Sequence, residues 1–413
     1  MRIPVFGRVN FNRLFAAWLA IIIFAGPSYA GSIARNAGNF TGVDKLVGPK
    51  DAVIVSGPAD NILFSKNENK KRIPASILKI YTSLVSLRYL GEDFRFTTAF
   101  YLDEQSNLKI KGYGDPLLVS EIIHEIALQI KPILAQSGSI NGLVLDDTYF
   151  SQPLTIPGIS SSPNPYDAPN GALCVNFNTV FFKRTQNGYI SAEPQTPLLP
   201  FALKKIKKSK QTKGRIVLSH YNKENLIYAG KLFRYFLEQQ GLDISGTVRP
   251  GAVNPDKDRH IFTYRSIFSL KEIVAKLLEH SNNFTTNQLL ITAGIKKFGS
   301  PGNLDKGVAA ANSFAEDILQ IRDMNIVEGS GISRNNRLTA GHMNRILKAF
   351  EPHRFLMNYE NGVYFKTGTL QGISTRAGYI EGSNGDLYRF AVMINTPGKS
   401  AHPVVQKLVK LLK

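Results

Sequence analysis

The spacing of apolar positions changes several times along the chain, and each change marks a different kind of element. From Leu14 to Phe24 every residue is apolar, and Arg2, Arg8 and Arg13 precede the run. Pro27 breaks it, and Ser28-Tyr29-Ala30 puts small residues at the two positions that signal peptidase reads. This pattern predicts a secretory signal over residues 1–30, cut after Ala30. A membrane anchor is the alternative, although the run is about half the ~20 apolar residues that span a bilayer. After a polar, Gly-rich lead over 31–50, residues 52–56 and 61–65 flank Gly57-Pro58-Ala59-Asp60 and predict a β-hairpin. Pro74 then stands at a first-turn position. Ile77, Leu78, Tyr81, Leu84 and Val85 follow at three-to-four spacing, which predicts a helix ending near Gly91.

Residues 95–260 change character. Short strand-like pieces at 96–102, 107–113, 142–145, 172–182 and 215–218 alternate with turns, and one helix is predicted at 120–137. Residues 152–170 are rich in Pro, Ser and Asn and read as a loop. From Ser269 helical spacing returns, first through Leu270, Ile273, Val274, Leu277 and Leu278, then over 284–293 and 308–319. Glu328-Gly329-Ser330-Gly331 predicts a tight turn. Strands at 362–366, 374–380 and 387–394 and a helix from about 403 to 412 close the chain. Consecutive strands with short links make an antiparallel sheet, and helices from both chain ends can cover it. The expectation is an α/β (α+β) fold: a catalytic unit of residues 31–94 plus 262–413, interrupted by a large α+β insert over 95–261.

Composition and charge narrow the functional classes. Hydrophobic residues make up 43% of the 413, an ordinary globular share that supplies a sizeable core. The net charge is +19. An exported chain does not meet nucleic acid, so a polyanionic envelope polymer or an anionic membrane face is the natural partner, leaving room for peripheral membrane contact. The densest patch is Lys204, Lys205, Lys207, Lys208, Lys210, Lys213 and Arg215, with no acid among them. It either grips an anionic polymer or is a solvated loop or strand edge kept soluble by lysines. The single cysteine, Cys174, cannot form an internal disulfide and reads as a small core residue.

Three short strings carry the candidate chemistry. Ser76 and Lys79 lie three apart at a helix start, which puts them on one face. A serine hydroxyl needs a base, and a lysine serves only if burial or a second cation lowers its pKa. Lys366 is the candidate second cation. Ser281-Asn282-Asn283 follows an apolar helix and sets a hydroxyl and an amide two residues apart. They can relay a proton to a leaving amine, and bind a peptide carbonyl while holding Lys79. Lys366-Thr367-Gly368-Thr369 closes a strand-like run. Gly368 admits a substrate backbone, the Thr369 N–H can share an oxyanion hole with the Ser76 N–H, and Lys366 with the threonine hydroxyls can hold a carboxylate. None of the seven histidines forms a metal-ligand cluster; His280 reads as structural, and Arg376 either meets a substrate carboxylate or is a surface-strand arginine.

The ordered triple S-x-x-K, S-x-N and K-T-G resembles that of penicillin-binding proteins and β-lactamases. The chain resembles, more narrowly, the class C low-molecular-mass penicillin-binding proteins, the D-alanyl-D-alanine carboxypeptidase/endopeptidase family. Tyr113-Gly114-Asp115-Pro116 resembles its Gly-Asp-Pro signature, Asp146-Asp147-Thr148-Tyr149-Phe150 its aspartate-rich strand end, and Pro165-Tyr166 through Ala172-Leu173 and Asn176 a further block. Glu328-Gly329-Ser330-Gly331-Ile332-Ser333 resembles a turn that usually opens with Asp. The 205-residue gap between Ser76 and Ser281 matches the place where that family carries its extra domains. The resemblance implies a serine transpeptidase/β-lactamase-like fold, needing no cofactor and no metal, exported to the periplasm or cell envelope. Ser76, Lys79, Ser281, Asn283 and Lys366 would be catalytic, and Thr367, Gly368 and Thr369 would bind substrate. Peptidoglycan stem peptides would be cleaved through a Ser76 acyl-enzyme, with β-lactams as inhibitors. Asn282 stands where Asp is common, and the insert looks shorter than in larger members. Two other functions are alternatives: a β-lactamase, and a catalytically silent peptidoglycan-binding homologue.

Overall fold

Alternating apolar residues in the terminal segments build a sheet in which the two ends of the chain meet. The computed structural model describes residues 40–136 and 138–413, so the predicted signal over 1–30 lies outside the described residues. A short helix α1 (Thr41–Asp44) leads into the hairpin β1 (Ala52–Ser56) and β2 (Ile62–Lys66), followed by the helix α2 (Leu78–Leu90). The next segment contains β3 (Thr97–Leu102), β4 (Asn107–Gly112), α3 (Ser120–Ala135), β5 (Gly142–Asp146), β6 (Thr179–Thr185), β7 (Gly188–Ser191), α4 (Pro200–Ser209), β8 (Lys213–Val217), α5 (Asn222–Gln239), β9 (Val248–Pro250) and β10 (Arg259–Arg265). The chain closes with α6 (Leu270–His280), α7 (Asn283–Phe298), α8 (Leu304–Asp317), α9 (Ala340–Phe350), β11 (Asn358–Glu360), β12 (Val363–Leu370), β13 (Ile373–Glu381), β14 (Leu387–Ile394) and α10 (His402–Leu412).

The principal sheet has the order β11-β12-β13-β14-β1-β2, every pair antiparallel. Successive side chains in a strand leave opposite faces, so one strand feeds two cores. Ala52, Ile54, Ala377, Tyr379, Ala391 and Met393 pack under the helices α2 and α6 to α9. Val53, Val55, Ile380, Phe390 and Val392 pack under Val404, Val405 and Leu408 of α10. Helix α2 is buried from Leu78 to Leu87, which explains why its apolar residues surround the axis instead of forming one stripe.

The middle segment has a core of its own. Its five-stranded sheet runs β10-β3-β4-β5-β9, antiparallel on one side and parallel across β4, β5 and β9; a three-stranded sheet, β7-β6-β8, stands beside it. The sequence reading differs here in several places. It expects one helix, yet α4 and α5 are also present, and strands β7, β9 and β10 stand where it placed none. The basic stretch is helix α4 followed by β8, an edge strand of the three-stranded sheet. Lys204, Lys207, Lys208, Lys210 and Lys213 are exposed there, while Lys205 pairs with Glu224 at 2.8 Å and Arg215 pairs with Glu193. The run at 172–182 becomes a strand only from Thr179. Before it, Asn176, Phe177 and Asn178 hold left-handed conformations, fixed because Asn176 Oδ1 accepts from the Ser120 N–H at 2.9 Å and the Asn178 amide donates to the Pro169 carbonyl at 2.9 Å. Among the described residues no helix is long and apolar enough to cross a membrane.

Candidate active site

The approach to Ser76 is fixed from the far end of the chain. Asn395, just past β14, accepts from the Ile73 N–H at 2.8 Å and donates to the Ile73 carbonyl at 3.2 Å; Thr375 Oγ1 donates to the Pro74 carbonyl at 2.7 Å. Ala75 then takes a left-handed φ of +50°, an uncommon conformation for a residue with a Cβ. A 3-10 turn over Ala75–Ile77 follows and continues into α2. Two glycines make room. A Cβ on Gly331 (φ +83°) would collide with the Ala75 carbonyl, and one on Gly368 would lie 2.7 Å from the Ser76 nitrogen. Ser76 itself stays partly exposed.

Lys79 is completely buried one turn on. Its Nζ lies 3.0 Å from Ser76 Oγ, 2.7 Å from Asn283 Oδ1 and 2.8 Å from the Ser330 carbonyl oxygen. Burial, then repulsion from Lys366, lowers its pKa to about 7, against an opposing pull from Glu328. A large share of the amine is therefore neutral near pH 7 and has a lone pair for the Ser76 proton. Lys366, also buried, has its pKa lowered by burial to about 8 and donates to the Thr367 carbonyl at 3.0 Å.

The second string forms the junction of two helices. Ser281 ends α6 in a left-handed conformation, φ 55°; Asn282 caps α7 by accepting from the Thr285 N–H at 2.9 Å; Asn283, the first residue of α7, turns its amide oxygen to Lys79. Asn282 is thus occupied as a helix cap. On β12 the alternation of the strand separates the third string. Lys366 and Gly368 face the buried side with Ser76, and Thr367 and Thr369 are exposed on the other face.

The sequence reading identifies the 328–333 turn but not what it does. Glu328, fully buried, accepts from the Ser330 N–H and Oγ (each 2.7 Å), the Gly331 N–H (2.7 Å), and the amides of Asn336 (2.6 Å) and Asn287 (3.1 Å). A carboxylate with this many donors locks the turn and aims the Ser330 carbonyl at Lys79. The insert is joined to the same helix: Gln288 of α7 donates to the Gly114 carbonyl at 3.1 Å and the Gly171 carbonyl at 3.0 Å, and Asn170 donates to the Phe284 carbonyl at 2.9 Å. The Gly-Asp-Pro and 165–173 blocks therefore act as supports for the start of α7. Of the two aspartates ending β5, Asp146 pairs with Lys111 at 3.1 Å and accepts from the Val253 N–H at 2.8 Å. Asp147 accepts from the Leu173 N–H at 2.8 Å, and burial raises its pKa to about 6. Cys174 is buried, and burial pushes its thiol pKa up. His280 is exposed beside Glu279. Among the described residues no group of three or more His, Cys, Asp or Glu could hold a metal.

A partly exposed serine beside a buried, near-neutral lysine, with an amide on that lysine and a threonine-bearing strand edge alongside, defines the class of serine acyl-transferases. The family model of D-Ala-D-Ala carboxypeptidase 3 (S13) matches residues 42–217 and 208–363, and the chain belongs to that family. It is a serine-type D-Ala-D-Ala carboxypeptidase, a hydrolase of peptidoglycan. The D-alanyl-D-alanine carboxypeptidase of Actinomadura sp. (strain R39) is 24% identical, across 86% of this chain and 79% of its own. The D-alanyl-D-alanine carboxypeptidase DacB of Haemophilus influenzae is 21% identical, across 81% and 83%. The crystal structure of penicillin binding protein 4 from Haemophilus influenzae superposes with a TM-score of 0.72 at 18% identity, covering 90% of this chain and 98% of that one. The fold is thereby that of penicillin binding protein 4, the penicillin-binding fold that the sequence strings imply.

Proposed function

We propose that Ser76 is the nucleophile through which this carboxypeptidase removes the terminal D-Ala of peptidoglycan stem peptides. One observation carries the assignment: the Lys79 amine, its pKa lowered to about 7, lies 3.0 Å from Ser76 Oγ. The neutral amine takes the hydroxyl proton as Oγ attacks the carbonyl carbon of the penultimate residue. The Ser76 and Thr369 backbone N–H groups receive the developing oxyanion. Ser281 passes the proton from Lys79 to the leaving nitrogen, free D-Ala departs, and an ester to Ser76 remains. Water then attacks that ester, giving up a proton to Lys79, and the same proton returns to Ser76 Oγ. Asn283 holds Lys79 and the substrate carbonyl, Lys366 keeps Lys79 from staying protonated, and Thr367, Gly368 and Thr369 form the edge along which the peptide lies.

The same transfer opens a cross-link when the leaving amine belongs to a neighbouring stem peptide. β-Lactams acylate Ser76 in place of substrate; a related predatory endopeptidase from Bdellovibrio bacteriovorus has been solved acylated by penicillin G. The catalytic unit spans 31–94 plus 262–413 and the accessory insert 95–261. The chain is exported to the periplasm or cell envelope, where its basic insert meets anionic wall or membrane surfaces. Release of D-Ala from a pentapeptide, followed by mass spectrometry, tests the assignment. Wild type should release it, and Ser76→Ala and Lys79→Met should not; release by either folded variant at the wild-type rate refutes the roles of nucleophile and base.

A further inference from the structure

We propose that Arg376 binds the free carboxylate on the leaving side of the scissile bond, making it a specificity-determining residue of this site. The inference rests on the acyl-transfer reading above. Lys366 is the cation expected to hold that carboxylate, yet it is 2% exposed and leaves β12 on the face opposite to Thr367 and Thr369. The cation on the threonine face comes from the next strand. In the β12–β13 register Thr367 stands directly opposite Arg376, so both side chains leave the sheet on one side with Cβ atoms about 5 Å apart.

The local geometry leaves this guanidinium ready for an anion. It stacks 3.8 Å from the centroid of Phe365, which lies two residues before Thr367 on the same face and fixes the plane of the fork. Nη1 donates to His402 Nδ1 at 3.4 Å, and Nε is buried with no partner among the described residues. Among the described residues no carboxylate forms an ion pair with it. Arg376 lines an open pocket of about 360 Å³ with Phe365, His402, Gln406 and Lys410, and Glu360 is the one acid among the described residues that line it. The edge of β12 beyond Phe365 is also free. Among the described residues β11 pairs only with Val363, Tyr364 and Phe365 and no other strand lies on that side of β12, so residues 367–369 have edge backbone groups for an extended peptide. A peptide laid there with its scissile carbonyl at Ser76 carries its terminal carboxylate along the threonine face, within reach of the Thr367 hydroxyl and the arginine fork.

The test measures second-order acylation of the full mature chain by benzylpenicillin, whose carboxylate stands in for that of the terminal residue, and by its methyl ester. Arg376→Ala should slow acylation by benzylpenicillin at least ~10-fold, Arg376→Lys should recover part of the loss, and both variants should react with the ester at the wild-type rate, which also reports an intact fold. An unchanged rate with benzylpenicillin, or an equal loss on acid and ester, overturns the proposal. Failure of the acyl-transfer reading is seen separately, as label formed by Ser76→Ala.

Discussion

Replacing Lys366 by Met should shift the acid limb of acylation to higher pH. Lys366 is the second cause of the low Lys79 pKa, after burial. The base works as the neutral amine, so the rate climbs with pH through the Lys79 pKa and levels off above it. With that pKa at about 7, roughly a quarter of the amine is neutral at pH 6.5 and three quarters at pH 7.5. Removing a like charge a few ångströms away raises the pKa by about one unit. The neutral share at pH 6.5 then falls about eightfold, while above pH 9 the two proteins converge. Lys366→Met also loses whatever Lys366 does for substrate binding, but that loss is nearly constant below about pH 7.5, where Lys366, with its own pKa at about 8, stays mostly charged. The informative quantity is therefore the wild-type to variant ratio of acylation rates by a fluorescent penicillin between pH 5.5 and 7.5. It should fall about threefold across that range. A flat ratio, or a limb that moves to lower pH, would refute the idea that Lys366 tunes the base.

Gly331→Ala places a Cβ against the Ala75 carbonyl at a φ of +83°, so it should cost about 2–4 kcal/mol and slow acylation sharply. Gly188→Ala, also at positive φ but with open space around it, should cost about 1 kcal/mol and leave acylation alone; comparable denaturation midpoints for the two would contradict the packing argument. Burial raises the Asp115 pKa to about 6, partly offset by the Leu117 amide and Ser266 hydroxyl. A raised carboxylate pKa stabilises the fold below about pH 4 and loses that contribution as pH climbs through about 6. Asp115→Asn should therefore gain up to about 3 kcal/mol relative to wild type between pH 4 and 7, and a pH-independent difference in urea unfolding would count against this. Changing Lys204, Lys207, Lys208 and Lys213 together to Gln should weaken sedimentation with isolated sacculi, more at low salt than at high salt; unchanged binding would make the patch a solvated surface only.

The parts of the site that the sequence displays are those held in contiguous strings. Ser76 and Lys79 meet because three residues make most of a helical turn, and Asn283 reaches Lys79 because Asn282 caps the helix that begins at Asn283. The Ser330 carbonyl is equally close to Lys79, but every residue has a carbonyl, and only the folded turn around Glu328 shows which one is aimed. Two of the helices absent from the sequence reading, both in the middle segment, are hidden for different reasons. Helix α4 buries only Ala202 and Ile206 among its lysines, too thin a stripe to stand out. Helix α5 has a clear stripe through Leu226, Ala229, Leu232, Phe233, Phe236 and Leu237, in a segment whose short strand-like pieces and turns dominate the pattern. The segment before Thr179 looks like a strand by composition and is not one, because Asn176 and Asn178 hydrogen-bond to local backbone instead of joining a ladder.

Labelling the purified mature chain with a fluorescent penicillin, beside Ser76→Ala, tests the central claim most directly. A persistent covalent label on wild type, mapped to Ser76 and absent from the folded variant, is the predicted result. Equal labelling of Ser76→Ala, or no label on folded wild type, would contradict a Ser76 acyl-enzyme. A label that forms and is quickly lost would instead indicate the fast deacylation of a β-lactamase.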